Sequence, residues 1–449
     1  MEKIAGIDVG QEASMKKIAF ASFVGTAIEF YDFYIYGTAA ALVFGAVFFP
    51  EFSPASGTLA SLATFGVAFL ARPLGGAIFG HYGDRVGRKA MLIFSLLVMG
   101  LATFFVGLLP GYAAIGVAAP LLLVFLRFLQ GIGLGGEWGG AVLMAAEHAP
   151  PGKRAFYSGF AQVGPPVGFL LSSGAFLLFA STLSEAQFAS WGWRVPFLFS
   201  IVLVAVGLFV RISVTETPVF KEVMETQTEA QVPIVDVLRT YPRTVGLATL
   251  GGSAMFTFFF VITVFSLSYG VTQLGIDRST MLYCIMVSMV FMGAGIMVFA
   301  ALSDRLGRRN LALFSTGFLA LWAFPMFWLV DTGSPVLVAL SFSVALFAWA
   351  AMYGPMGAFF SELFSTRVRY SGASLSYALA GVLGGALAPY ISARLLGATE
   401  ASWSVSAYLT VMAVISFVSV LLLSETYRSD LSETRPEERQ LIAEGEETT

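Results

Sequence analysis

The chain of 449 residues has one cysteine, Cys284, and only two histidines, His81 and His148. A single thiol makes an intrachain disulfide impossible and leaves the redox compartment open. Two histidines in short polar loops fall short of the ligands that a metal site needs, so no metal and no cofactor are expected. Charge is scarce as well: Asp, Glu, Lys and Arg make up 12% of the residues, about half the share found in soluble domains. A net charge of −3 argues against nucleic acid as a partner. Strands that alternate polar and apolar residues are missing, which excludes an outer-membrane barrel. The absence of G-x-x-x-x-G-K-[ST] speaks against an ATP-driven pump, and no nucleophile–base arrangement suggests an enzyme. The opening MEKIAGIDVGQEASMKK lacks the apolar stretch and cleavage site of a signal peptide, so the first apolar run is expected to be kept as a helix.

What is plentiful is apolar. Hydrophobic residues reach 57%, with 43 Phe and 47 Gly, and runs of about 20 residues, each long enough to cross a bilayer core of about 30 Å, recur along the chain. Twelve spans are expected, at 18–44, 58–80, 90–110, 118–146, 155–182, 194–213, 244–270, 279–302, 310–330, 335–359, 370–396 and 404–424. The fold class is therefore an all-α polytopic membrane protein. Residues 214–243 form the longest polar stretch and read as a cytoplasmic linker between an N-terminal six-helix half (18–213) and a C-terminal one (244–424). Residues 1–17 read as a cytoplasmic N-terminus, and the acidic tail 425–449 reads as disordered. With both termini in the cytoplasm of a cell (inner) membrane, 20 of the 25 Lys and Arg fall on the inner side, as the positive-inside rule requires.

Three loop signatures repeat in order. Asp84-Arg85-x-Gly87-Arg88 returns as Asp304-Arg305-x-Gly307-Arg308; Glu147 and Arg154 return as Glu362 and Arg369; Glu216 in TETP returns as Glu425 in SETY. The halves thus read as parallel repeats related by an axis along the membrane normal. Acids and bases at the inner helix ends can clasp the halves together while the inner mouth is shut. Half-exposed pairs, worth about 0.2–1 kcal/mol each, would suit a latch that has to break.

The loop G-x-x-x-D-R-x-G-R-K at 80–89 resembles the loop 2–3 motif of the major facilitator superfamily, with Ala300 replacing the first glycine in the second copy. The E-x6-R pairs and the TETP and SETY ends resemble its sugar-porter-like branch. Closer still, GTAIEFYDFYIYG (25–37), ARPLGGAIFGHYGDRVGRK (71–89), RFLQGIGLGGEWGG (127–140) and SWGWRVPFLFS (190–200) resemble the metabolite:H⁺ symporter family, which includes shikimate, α-ketoglutarate, citrate and proline/betaine carriers. The resemblance covers about residues 15–425 and lacks only the long heptad-patterned tail of the osmosensing betaine carriers.

Five ionisable residues stand at mid-span: Glu29 and Asp32 in span 1, Arg72 in span 2, and Arg127 and Glu137 in span 4. Each costs about 2.5–3.5 kcal/mol at a helix centre, which marks them as functional candidates. Glu29 and Asp32 share a helix face with Ser22, Gly25, Phe33 and Tyr36. On span 4, Gln130, Leu134 and Trp138 follow the Arg127 direction, and Glu137 points to one side. Asp32 is expected to face Arg127, with Gln130 and Trp138 lining the same cavity as candidate substrate contacts, and a substrate carboxylate that engages Arg127 in a fork is expected to release Asp32 to take a proton. In the family that the resemblance implies, this acid and this arginine form the proton-coupling pair. Glu137 reads as a second protonation site or as a partner for Arg72. Arg72-Pro73 reads equally as a substrate ligand or as a structural device that serves Glu29 or the carbonyl freed by the proline. Further substrate contacts are expected from Tyr36, Gln162 beside GPPVG (164–168), Met255, Phe256, Tyr353 and Tyr377.

Gly131-x-Gly133-x-x-Gly136 imitates a dinucleotide fingerprint but has no strand before it. Gly131, Gly135 and Gly139 read instead as a close helix-packing face. The leading expectation is a monomeric secondary transporter that imports a small organic acid, such as shikimate or α-ketoglutarate, together with protons. Import of a zwitterion such as proline or betaine, and a drug or metabolite:H⁺ antiporter, are the alternatives on the same fold. A receptor without transport would have no use for repeats, latches and coupling charges.

Overall fold

The computed structural model describes residues 9–150, 152–212, 233–365 and 368–427. Among them are twelve helices long and apolar enough to cross a membrane: Ile18–Ala39, Ala63–Gly83, Lys89–Leu108, Ala118–His148, Arg154–Phe179, Phe188–Ile212, Pro242–Thr272, Arg278–Leu306, Arg308–Val330, Pro335–Glu362, Arg369–Thr399 and Trp403–Leu421. They are numbered spans 1–12 in that order, and they match the twelve expected from the apolar runs.

The repeated D-R-x-G-R loops owe their sharpness to glycine. Gly87 and Gly307 join spans 2 to 3 and 8 to 9 with φ of 120° and 95°, a backbone region that side-chain-bearing residues avoid. A Cβ on Gly307 would also run into the Glu425 carboxylate. The glycine face of span 4 packs on span 2 as expected: a Cβ on Gly131 or Gly135 would stand 2.7 Å from Ala68 Cα or Gly76 N.

Three spans are interrupted near the middle of the bundle. Span 5 is two helices, Arg154–Gln162 and Gly164–Thr182, because Pro165 and Pro166 supply no N–H to the preceding turn. Spans 7 and 11 each contain a π-helical turn, Val261–Phe265 and Val382–Ala386, a device that recurs at functional sites because it frees a carbonyl and re-aims side chains.

The halves meet where span 2 packs on span 11, span 5 on spans 8 and 10, and span 4 on spans 10 and 11. The arginine-rich loops gather at one end of the bundle, termed the basic end. Toward the opposite, far end a cleft of about 270 Å³ opens between the halves, lined by Thr38, Phe65, Ser173, Thr263, Thr272 and Arg278 among others.

Candidate functional site

Below the cleft, at the middle of the bundle, Phe30 and Tyr34 of span 1, Arg72 of span 2, Pro165 of span 5, Met255, Phe256, Phe259 and Phe260 of span 7, Met292 of span 8, Trp349 and Tyr353 of span 10 and Tyr377 of span 11 enclose a pocket of about 20 Å³. That is room for a single water. Arg72 is its one cation. The guanidinium is 1% exposed, lies 5.5–5.9 Å from the rings of Phe33, Phe69, Phe256 and Tyr377, and stands close to the Tyr377 hydroxyl. Its Nε and Nη2 have no hydrogen-bond partner. Both carboxylate oxygens of Glu29, within range of the Arg72 charge, are likewise buried without a partner.

Aromatic stacking and side-chain amides shape the floor of this pocket. Trp138 of span 4 stacks on Tyr377 of span 11, centroids 3.8 Å apart and nearly parallel. Its indole N–H donates to Gln162 Oε1 at 2.7 Å, and Gln162 Nε2 donates to the Tyr353 carbonyl at 2.7 Å. The Tyr353 and Tyr377 hydroxyls stand 3.3 Å apart. Gln162, Met255, Phe256, Tyr353 and Tyr377 thus all converge here from their separate spans.

Arg127, Gln130 and Tyr36 do not reach the central pocket. They form a tier nearer the far end, inside the N-terminal half. Arg127 donates to Gln130 Oε1 at 3.0 Å, and Gln130 Nε2 donates to Thr103 Oγ1 at 2.7 Å. Thr103 also stands beside Asp32. The Arg127 guanidinium lies 4.1–4.7 Å from the rings of Tyr36, Phe33 and Phe65, and Tyr36 is itself held by Thr64 at 2.7 Å. Two expectations are corrected here. Asp32 and Arg127 share a tier, but among the described residues no ion pair joins them: Arg127 is held by Gln130, and Thr103 stands between Gln130 and Asp32. Trp138 does not line the Arg127 cavity: eleven residues along a helix is about 16 Å of rise, which carries it down to the pocket floor.

A third tier lies toward the basic end. Glu137 pairs with Arg211 of span 6 rather than with Arg72, and its other oxygen accepts from Ser95 at 3.0 Å. Arg211 also donates to the Leu92 carbonyl, and its guanidinium lies over Gly25 of span 1, where a Cβ would meet Cζ at 3.1 Å. Sequence reasoning missed Arg211, which at the end of span 6 reads as one more basic residue of the following loop. Its one available signal was Gly25, a glycine one turn from Glu29 on the charged face.

At the basic end the two halves are tied. Arg369 donates to Glu147 at 3.2 Å, the Asp304 carboxylate caps span 5 by accepting from the backbone N–H of Ala155 and Phe156 at 3.1 and 3.0 Å, Arg154 reaches Glu362 at 4.0 Å, and the Tyr370 hydroxyl donates to the Gly136 carbonyl at 2.5 Å. Within the C-terminal half, Arg308 pairs with Asp304 at 2.9 Å and Glu362 at 3.2 Å, and Glu425 accepts from the N–H of Arg308 and Arg309. The expected half-exposed latch is corrected: Glu147, Arg308, Glu362 and Arg369 are all buried, and only Arg154 is partly exposed, at 18%. Arg85 and Arg305 are exposed at the surface and make none of these bonds. The side chains of Asp84 and Arg88, and all of Glu216, lie outside the described residues.

A latch of buried pairs predicts a large response to losing one partner, about 3–5 kcal/mol for a charge left alone. Glu147→Gln is expected to part the basic ends. In a Cys284→Ser background, labelling of a cysteine placed at Ser374 by a membrane-permeant maleimide should rise at least tenfold. Unchanged labelling would mean that the pair holds nothing shut.

The family profile described as Major Facilitator Superfamily matches residues 22–389. An inner membrane metabolite transport protein of Escherichia coli (strain K12) is 47% identical over 93% of this chain and 96% of its own length. The shikimate transporter of the same organism is 42% identical over 92% and 95%. A solved structure of a proton:xylose symporter bound to 6-bromo-6-deoxy-D-glucose aligns with a TM-score of 0.77 at 16% identity, covering 96% of this chain and 99% of that one.

Proposed function

The chain belongs to the Major Facilitator Superfamily, and on that premise we propose that it imports a small organic acid together with protons, its basic end facing the cytoplasm. It is a membrane transporter of small-molecule solutes and not an enzyme. The observation that carries the finer reading is Arg72: a buried guanidinium in the central pocket with Nε and Nη2 unpartnered. A buried cation with idle donors is costly, and a carboxylate that accepts from both in a fork is the ligand that removes the cost. The pocket is too small for an organic acid while the basic end is latched, so the aromatic side chains around Arg72 have to part as the acid arrives from the far-end cleft.

Proton coupling is read from the tier above. The O–H of Thr103 donates to the Met99 carbonyl at 3.0 Å, and Asp32 beside it is buried with Oδ1 unpartnered among the described residues. Arg127 meanwhile rests on Gln130 and three rings. If Arg127 swings to Asp32, the ion pair expels the proton; if it swings back, the proton returns. The related shikimate transporter favours a ring-bearing monocarboxylate over the other acids considered.

One cation in the pocket, with a C-terminal half that lines it with uncharged side chains alone, suits one carboxylate and leaves a second without a partner. In competition for uptake, a monocarboxylate such as shikimate should therefore outcompete α-ketoglutarate and citrate at least tenfold. Equal competition by citrate would contradict the single-anchor account, and preferred uptake of glycine betaine or proline would replace the acid with a zwitterion.

A further inference from the structure

Three acids step through the N-terminal half, and each has an arginine at its own depth: Asp32 with Arg127, Glu29 with Arg72, and Glu137 with Arg211. Coupling as described uses the first pair and substrate binding uses Arg72. Nothing so far uses Glu29 or the Glu137–Arg211 pair, although all three groups are buried and charge-bearing in an apolar bundle.

Glu29 sits at a junction. Arg72, Arg211, Tyr34 and Tyr377 all stand within electrostatic range of it, and Asp32 is three residues along its own helix. Neither carboxylate oxygen is hydrogen-bonded. One turn away, Gly25 lets the Arg211 guanidinium lie directly against span 1. Arg211 thereby lies one turn along from Glu29 while it holds Glu137, and Tyr370 of span 11 and Lys89 of span 3 are the other titratable groups near it among the described residues. Beneath Arg211 is a second cavity of about 20 Å³, lined by Ile18, Ser22, Lys89, Leu92 and Met144, with Ala21 and Ala141 in its wall. It lies within the N-terminal half, close to the basic end, since Lys89 begins span 3 and donates to the Ile212 carbonyl at the end of span 6. The space admits one water, with the Ser22 hydroxyl, Arg211 and Lys89 as polar partners.

We propose that these groups form a proton exit to the cytoplasm inside the N-terminal half, separate from the route that the substrate takes between the halves. Arg211 moves from Glu137 to Glu29. The O–H bond of the protonated Glu29 breaks, an O–H bond forms on the released Glu137 carboxylate, and Arg211 now pairs with the Glu29 carboxylate. Glu137 then passes the proton to water in the cavity below, Arg211 returns to Glu137, and the Glu29 carboxylate takes its next proton from Asp32 one turn above. One proton descends, the guanidinium keeps its charge throughout, and the substrate gate between Glu147 and Arg369 need not open for the proton to leave.

This exit rests on the proton-coupled reading above. The test reconstitutes the full chain in liposomes and measures two fluxes with labelled shikimate: net uptake driven by a pH gradient, and exchange of labelled for unlabelled acid, which needs no net proton movement. In Glu137→Gln the ratio of gradient-driven uptake to exchange is expected to fall at least tenfold, and Glu137→Asp should restore most of it. A purely structural role would lower both fluxes together and leave the ratio alone, and that result overturns the proposal. Ala21→Val, which fills the cavity without touching a charge, should lower the same ratio at least threefold; an unchanged ratio there overturns the exit even if Glu137→Gln fails to fold. Gradient-driven uptake absent from the unsubstituted protein itself would instead refute the proton-coupled reading.

Discussion

Arg72→Gln should raise the acid concentration for half-maximal uptake at least thirtyfold while the protein still elutes as a folded, monodisperse species. The size follows from what the side chain does. A buried charge that accepts or donates in a fork loses about 2–5 kcal/mol when its partner is truncated, and 2 kcal/mol is already a factor of about thirty. Glutamine keeps the length and much of the packing against Phe33, Phe69 and Phe256, so the fold should survive. Arg72→Lys is the informative companion. It returns the charge without the planar fork, and it should recover only part of the lost affinity. Full recovery by lysine would mean that Arg72 acts as a point charge, and normal uptake by Arg72→Gln would remove it from the substrate site. The measurement is labelled-acid uptake into liposomes across a concentration series.

Asp32→Asn should abolish accumulation while part of the exchange activity survives. A monocarboxylate that enters with one proton carries no net charge, so its accumulation is driven by the pH gradient: one pH unit is about 1.4 kcal/mol, or about tenfold. Asparagine keeps the size of Asp32 and its place beside Thr103, but it can neither carry a proton nor pair with Arg127. The variant should therefore bring internal and external acid to equality and no further. Exchange depends on Arg72 and on the gate, both untouched, so the two readouts separate coupling from binding. Tenfold accumulation by Asp32→Asn under a gradient of one pH unit would take Asp32 out of the mechanism and leave Glu29 and Glu137 to carry the proton.

The twelve spans were legible because each is a long apolar run between polar breaks, and the repeat was legible because both copies keep acid, base and glycine in one register. Gly87 and Gly307 show why the glycine in D-R-x-G-R persists in both copies: each stands at a positive φ that other residues avoid. The site was only half legible. A helical projection gives the direction of a side chain and not its height, which is how Trp138 came to be grouped with Arg127 when about 16 Å of rise separates them. Thr103 was invisible because a lone threonine in an apolar run bears no charge pattern, yet it accepts from Gln130 and stands beside Asp32.

Partners across the bundle were harder still. The depth at which Arg369 meets Glu147 depends on how spans 4 and 11 pack, and no local pattern encodes burial between elements 222 residues apart in the chain. Arg211 was hidden for the opposite reason: its position at a span end made it look like an ordinary positive-inside charge, whereas the absent side chain of Gly25 gives it a buried seat. The central pocket, by contrast, draws on residues each of which stood out in its own span: a charge beside proline, an amide beside a double proline, and tyrosines in spans 10 and 11.

The central claim is that an acid and a proton enter together. Purified protein in liposomes loaded with a pH-sensitive dye, challenged at neutral external pH with shikimate, α-ketoglutarate, citrate, a benzoate, glycine betaine and proline in turn, tests it directly. A monocarboxylate of the panel should acidify the lumen in the unsubstituted protein and fail to do so in Asp32→Asn. Uptake of a labelled acid with no change in lumenal pH would contradict the account.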